Sequence, residues 1–256
     1  MMPNHDVAHD APEWLATPPG RYVLDKEQAY FDRTVADIFG YNALQLGLPR
    51  ADLLKASRIP FRLKADPTAP VALRADFRDL PIAANSIDLV VLAHVLEFSA
   101  DPHQVLREVA RVLLPEGHLL IAGFNPWSPW GWRRTFGRRT GYPWNGRFIN
   151  LPRLKDWLRL LELEISGGQM CCYTPPFTAE KSLQRFGFLD AAGDRWWPIT
   201  GGVYFLQAVK RVRGMRLIMP KWSDRLAPKE DLVSVPKKVR QPEEALVTRS
   251  GMTHSQ

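Results

Sequence analysis

The clearest periodic signal lies in the middle of the chain. From Pro102 onward, apolar residues recur as Val105, Leu106, Val109, Val112 and Leu113, the spacing of one helix face. Asp101 followed by Pro102 reads as an N-cap and a first helical position, and Pro115 and Gly117 close the segment. On either side, Leu89–Ala93 and His118–Phe124 are unbroken apolar runs with the length of buried strands. Strand, helix and strand in that order predict a βαβ unit and a parallel sheet. Val71–Arg74 is a further strand, followed by the turn-rich stretch Asp76–Asn85.

Weaker patterns extend this on both sides. Leu24–Phe39 alternates charge with Tyr30, Phe31, Val35, Ile38 and Phe39 and predicts an amphipathic helix. Asn42–Gly47 and Phe61–Leu63 read as strands, with a short helix over Ala51–Ala56 between them. Asn125–Arg147 reads as a loop rich in Trp, Pro, Gly and Arg. Beyond it come a helix (Leu151–Leu161), a strand (Leu163–Tyr173), a helix (Glu180–Phe188) and a last strand (Gly202–Lys210). The expected organisation is a flexible segment over 1–20, one domain over 21–213, and a tail over 214–256. The tail has no periodic apolar face and is expected to be disordered.

Composition narrows the class. Of the 256 residues, 45% are hydrophobic and 24% charged, as in an ordinary globular protein. No apolar run is long enough to span a bilayer, and Met1–Gly20 has no apolar core of a signal peptide. The two cysteines, Cys171 and Cys172, are adjacent, which argues against a disulfide framework or a cysteine metal site and for a reducing compartment, the cytoplasm. No metal-ligand spacing appears among the six histidines. The net charge of +7 is uneven: from Lys210 onward eleven basic residues face five acids, so the domain itself is close to neutral.

The stretch RADFRDLPIAANSIDLVVLAHVLEFSADPHQVLREVARVLLPEGHLLIAGFNP, inside a best-matching span of 71–126, carries a family pattern. An acid (Asp76) ends the third strand, and Leu80, Pro81, Ser86 and Asp88 form the turn into the fourth. The next helix carries Asp101, Leu106, Glu108, Arg111, Val112, Leu113, Pro115 and Gly117. This segment resembles the type-11 domain of the class I S-adenosylmethionine (SAM) methyltransferases. The resemblance implies a doubly wound, mostly parallel α/β sheet of the Rossmann-like methyltransferase fold, and SAM as cofactor. It implies that Asp76 accepts a hydrogen bond from the adenine amino group and that Phe77 walls the ring. It places Asp66 on the ribose hydroxyls, Gly47 on the cofactor loop and His94 in the same crevice. For His94, packing beside the cofactor and a role in proton transfer both remain open.

The family's glycine-rich loop, D-x-G-x-G-x-G, reads here as LQLGLPRAD. Gln45 stands in the place of the acid, and Pro49 and Ala51 in the places of later glycines. Only ten positions separate Asp66 from Asp76, too few for a crossover helix, so the second crossover is shortened. SAM binding weaker than usual is the expectation.

Methyl transfer in this family is mainly a matter of positioning, so no catalytic residue and no acceptor follow from the motifs. Two rival readings accompany methyl transfer. One is an inactive binding or regulatory module, suggested by the altered loop. The other is nucleic-acid association through the basic tail and the Trp/Arg loop, where Trp127, Trp130, Trp132, Arg133, Arg134, Arg138, Arg139, Tyr142 and Trp144 are the stacking and phosphate-holding candidates. The alternative for that loop is a lid packed over the pocket.

Overall fold

The computed structural model describes residues 11–137, 141–176, 185, 188–197 and 199–211. The elements run α1 (Ala11–Leu15), α2 (Pro18–Val35), β1 (Asn42–Leu46), β2 (Phe61–Asp66), β3 (Leu73–Arg74), β4 (Ile87–Ala93), α3 (Pro102–Val112), β5 (Leu113–Phe124), α4 (Pro129–Phe136), α5 (Leu151–Leu160), β6 (Leu163–Cys171), α6 (Phe188–Trp196) and β7 (Val203–Lys210). One seven-stranded sheet has the order β3-β2-β1-β4-β5-β7-β6. The first five strands are parallel, and β7 runs antiparallel to both β5 and β6. This is the doubly wound, mostly parallel sheet that the βαβ pattern implied.

Helices cover both faces of the sheet, which explains why its central strands read as continuous apolar runs. On β4, Leu89, Val91 and Ala93 join one core with Val23, Phe31 and Val35 of α2. Val90 and Leu92 join the opposite core with Val105, Leu106, Val109 and Val112 of α3 and Leu154 and Leu158 of α5. The start of α3 is fixed as its sequence foretold: the Asp101 side chain accepts from the Gln104 N–H at 3.0 Å, and Pro102 opens the helix.

Several expectations need correction. In place of the flexible segment expected over 1–20, residues 11–15 and 18–20 are helical, and residues 1–10 lie outside the described residues. Thr17 caps α2 by accepting from the Gly20 N–H at 3.3 Å, with Pro18 and Pro19 in the first turn. Ahead of it, Trp14 of α1 packs edge-on against Phe124, Trp130 and Tyr142. That anchor is tertiary, so local periodicity does not show it. At its other end α2 stops at Val35, and Phe39 is left exposed. Residues 51–57 are a chain of turns, closed by Ala51 to Leu48, Lys55 to Asp52 and Ser57 to Leu54 backbone bonds, not a helix. The strand expected at Val71–Arg74 shortens to Leu73–Arg74. The link from β2 to β3 holds no helix, as the short spacing required. The stretch expected as a loop contains α4, whose Ser128 cap accepts from the Gly131 N–H at 3.2 Å. Most of the helix expected over Glu180–Phe188 lies outside the described residues, as does the tail over 214–256. Among the described residues, no helix is long and apolar enough to cross a membrane.

Candidate active site

Strand order locates the site. From β1 the chain leads outward to β2 and β3, whereas β4 leads through α3 to β5 on the other side. Ligands of open α/β sheets bind at the carboxyl ends of strands where the winding reverses in this way. There Gly47, just after β1, has φ +84°, and a Cβ on it would lie 2.3 Å from the Ala93 carbonyl oxygen at the end of β4. Glycine is therefore required by the close approach of the two strand ends.

A cavity of about 660 Å³ opens at this place, and Gly47, Asp66, Asp76, Phe77 and His94 all line it. The five residues singled out in the sequence thus share one cavity. Asp66, at the end of β2, is almost fully buried, and its Oδ1 accepts from the Thr68 N–H (2.9 Å), the Thr68 hydroxyl (3.0 Å) and the Ala69 N–H (2.7 Å). These bonds close the tight turn that stands where a crossover helix is missing. Asp76 is exposed and pairs with Arg78, Nη2 to Oδ2 at 2.5 Å. An ion pair in water is worth little, so a ligand donor can compete for this carboxylate. Phe77 is half-buried and packs on the core between the sheet and α3.

Gln45 explains how the altered loop is built. Its buried Nε2 lies 3.1 Å from each of the carbonyl oxygens of Gly47, Leu48 and Ala51, and its Oε1 accepts from the Leu53 N–H at 3.0 Å. The loop turns its carbonyls inward, toward a side chain that must donate. A carboxylate cannot donate, which accounts for glutamine at the place of the family's acid. Leu48 follows with φ 47° and is buried, so the loop folds around a leucine where the family pattern has glycine-rich chain.

Sequence reading missed the partners of His94. Its Nε2 lies 2.5 Å from Glu27 Oε1 and its Nδ1 3.1 Å from Glu97 Oε1, and all three side chains are buried. Glu97 Oε1 also accepts from the Phe124 N–H at 2.8 Å, and the imidazole stacks on the Phe124 ring at 4.2 Å. Burial alone would push the His94 pKa down; Glu27 and then Glu97 outweigh it and hold the value up at about 10. His94 is therefore an imidazolium near neutral pH with both N–H groups donated, and it does not serve as a proton acceptor there. Glu27 was detectable in principle. It interrupts the apolar face Val23, Phe31, Val35 of α2 at a helical spacing, where a lone acid needs a buried partner.

Two buried polar atoms, Glu27 Oε2 and the Tyr142 hydroxyl, have no hydrogen-bond partner among the described residues. Tyr142 lines the cavity, and its pKa is raised by burial and by the nearby Glu27 and Glu97 charges. The Trp/Arg stretch divides in two. Trp130, Tyr142 and Trp144 are buried, with Tyr142 alone of the three on the cavity wall, while Trp127 and Trp132 are exposed. Arg138 and Arg139 lie outside the described residues.

The profile of the family described as "Methyltransferase domain" matches residues 29–121. An uncharacterized Escherichia coli protein, YafS, is 34% identical over 168 residues, covering 64% of this chain and 69% of that one. The demethylmenaquinone methyltransferase of Chlamydia pneumoniae is 31% identical over 83 residues, 30% of this chain and 35% of that one. Among solved structures, a SAM-dependent methyltransferase of Thermotoga maritima superposes with a TM-score of 0.59 at 15% identity, over 79% of this chain and 95% of that one.

Proposed function

Because the chain belongs to the methyltransferase-domain family of SAM-dependent methyltransferases, we propose that it transfers the methyl group to a small, largely apolar acceptor held in the same cavity. The cofactor fits the residues present. A cavity of about 660 Å³ is in the range of small-molecule sites, with carboxylates at the ends of two successive strands and a glycine at the crest. Asp76 and Phe77 would hold the adenine, Asp66 the ribose, and the Gly47 loop and His94 the remainder. SAM supplies a methyl group on a sulfonium, ready for in-line displacement. The chain's own contribution is to orient the acceptor and keep water away.

The observation that carries the acceptor class is the second set of walls in this cavity. Leu15 of α1, Leu24 of α2, Val95, Phe98 and Tyr142 line it along with the cofactor residues. Tyr142 is the wall whose hydroxyl has no partner among the described residues, which suits a molecule with one hydrogen-bonding handle on an apolar body. The name of the demethylmenaquinone enzyme, a relative over 83 residues, is compatible with such an acceptor. We place the protein in the cytoplasm, where the adjacent thiols of Cys171 and Cys172 remain reduced.

The test is to incubate the full chain with SAM carrying a tritiated methyl group and a small-molecule extract of cells. The label is expected to pass into material extractable by organic solvent. Label found only in precipitated protein or nucleic acid would overturn the acceptor class.

A further inference from the structure

Ten large hydrophobic side chains are exposed among the described residues. Six of them, Trp127, Trp132, Phe136, Trp196, Trp197 and Ile199, come from two short segments. The fold ties those segments together. Asn125 donates from Nδ2 to the carbonyls of Ile199 and Gly201, both at 2.9 Å, and its Oδ1 accepts from the Trp127 N–H at 3.0 Å. Gly202 abuts the Trp130 ring, where a Cβ would come within 2.4 Å. On α4 the division is by face: Trp130 is fully buried, while Trp132 and Phe136, one turn apart, point outward. An exposed apolar patch of this kind marks an interaction surface.

From its chemistry we infer that this aromatic face docks on an anionic lipid surface. Tryptophan is the side chain that favours the boundary between headgroups and acyl chains, and four of the six residues are tryptophans. The charge is complementary as well. Among the described residues, α4 and α6 carry three arginines, Arg133, Arg134 and Arg195, and two aspartates, Asp190 and Asp194. Of the aspartates, Asp190 is turned inward, accepting from the Tyr22 hydroxyl at 2.5 Å and pairing with Lys26 at 2.8 Å. Arg133 and Arg134 donate to the carbonyls of Pro176 and Gly146 and lie over the rings of Trp144 and Phe148. Their hydrogen-bonding forks are thus engaged while their charges remain. Such fixed charge suits diffuse attraction to a negative headgroup layer better than bidentate grip on a nucleic-acid phosphate. A second copy of the chain would bring the same positive field and is disfavoured by it. The docking is interfacial: apolar side chains enter the boundary and nothing crosses the bilayer.

The test uses the full chain and the double variant Trp132→Ser/Trp196→Ser, with phosphatidylcholine vesicles prepared with and without phosphatidylglycerol. Both side chains are exposed, so melting temperature is expected to be unchanged. The unmodified protein is expected to sediment with the anionic vesicles and to show a blue shift of tryptophan emission, with little binding to the neutral ones. The variant should bind roughly tenfold or more weakly. Equal sedimentation of both proteins would place the attraction in the basic tail and overturn the inference. So would failure of the unmodified protein to bind anionic vesicles. Loss of RNA binding or of dimerisation in the variant, without loss of vesicle binding, would assign the face to those partners instead.

Discussion

Replacing His94 by alanine is expected to destabilise the protein by about 3–5 kcal/mol, since removing one partner of a buried ion pair leaves uncompensated charge. Here two carboxylates, Glu27 and Glu97, would lose the cation between them, and all three side chains are buried. Urea denaturation of the two proteins measures the effect, and a loss under 1 kcal/mol would mean that the cluster is not charged as described. The sign of the pH dependence follows from the same geometry. His94 has an ordinary pKa of 6.5 in the unfolded chain and one of about 10 in the fold. Its contribution to stability is therefore complete below pH 6.5 and is lost as pH rises toward 10. The stability of the unmodified protein should decline through that window, and a flat profile would contradict the pairing.

Gln45→Glu, which restores an acid at the family's loop position, is expected to cost about 3 kcal/mol or more rather than to repair the loop. The substitution is nearly isosteric, but it sets a carboxylate against the carbonyl oxygens of Gly47, Leu48 and Ala51. Melting temperature and SAM affinity should fall together, because the loop that forms one wall of the cavity is held by this side chain. A neutral or stabilising effect would show that the loop carbonyls do not face the side chain.

What the sequence disclosed and what it hid differ in kind. The run from Val71 to Phe124 was legible because each element there is specified locally: buried strands by unbroken apolar residues, and α3 by its cap, proline and stripe. The cavity residues Asp66, Asp76 and His94 stood out through the family resemblance, and the parallel sheet brings the ends of their strands together. α1 was hidden because five residues acquire a fixed helix only through Trp14 and its aromatic neighbours. Gln45 looked like decay because a motif compares letters, whereas its role depends on which way the loop's carbonyls turn. Glu27 and His94 are 67 positions apart, so their bond could be suspected from the misplaced acid on α2 but not assigned.

The central claim, that the cavity where β1 and β4 meet is the SAM site of a methyltransferase, is tested most directly by calorimetric titration of the full chain with SAM, beside Asp76→Ala. Saturable binding of one SAM per chain is expected, with a dissociation constant on the order of tens of micromolar. The inward-turned carbonyls and Pro49, which lacks an N–H, limit what the loop can offer the cofactor. Asp76→Ala, at an exposed position, should weaken binding about tenfold without loss of folding. No saturable binding at millimolar SAM, in protein that still melts cooperatively, would contradict the account, and so would binding that Asp76→Ala leaves unchanged.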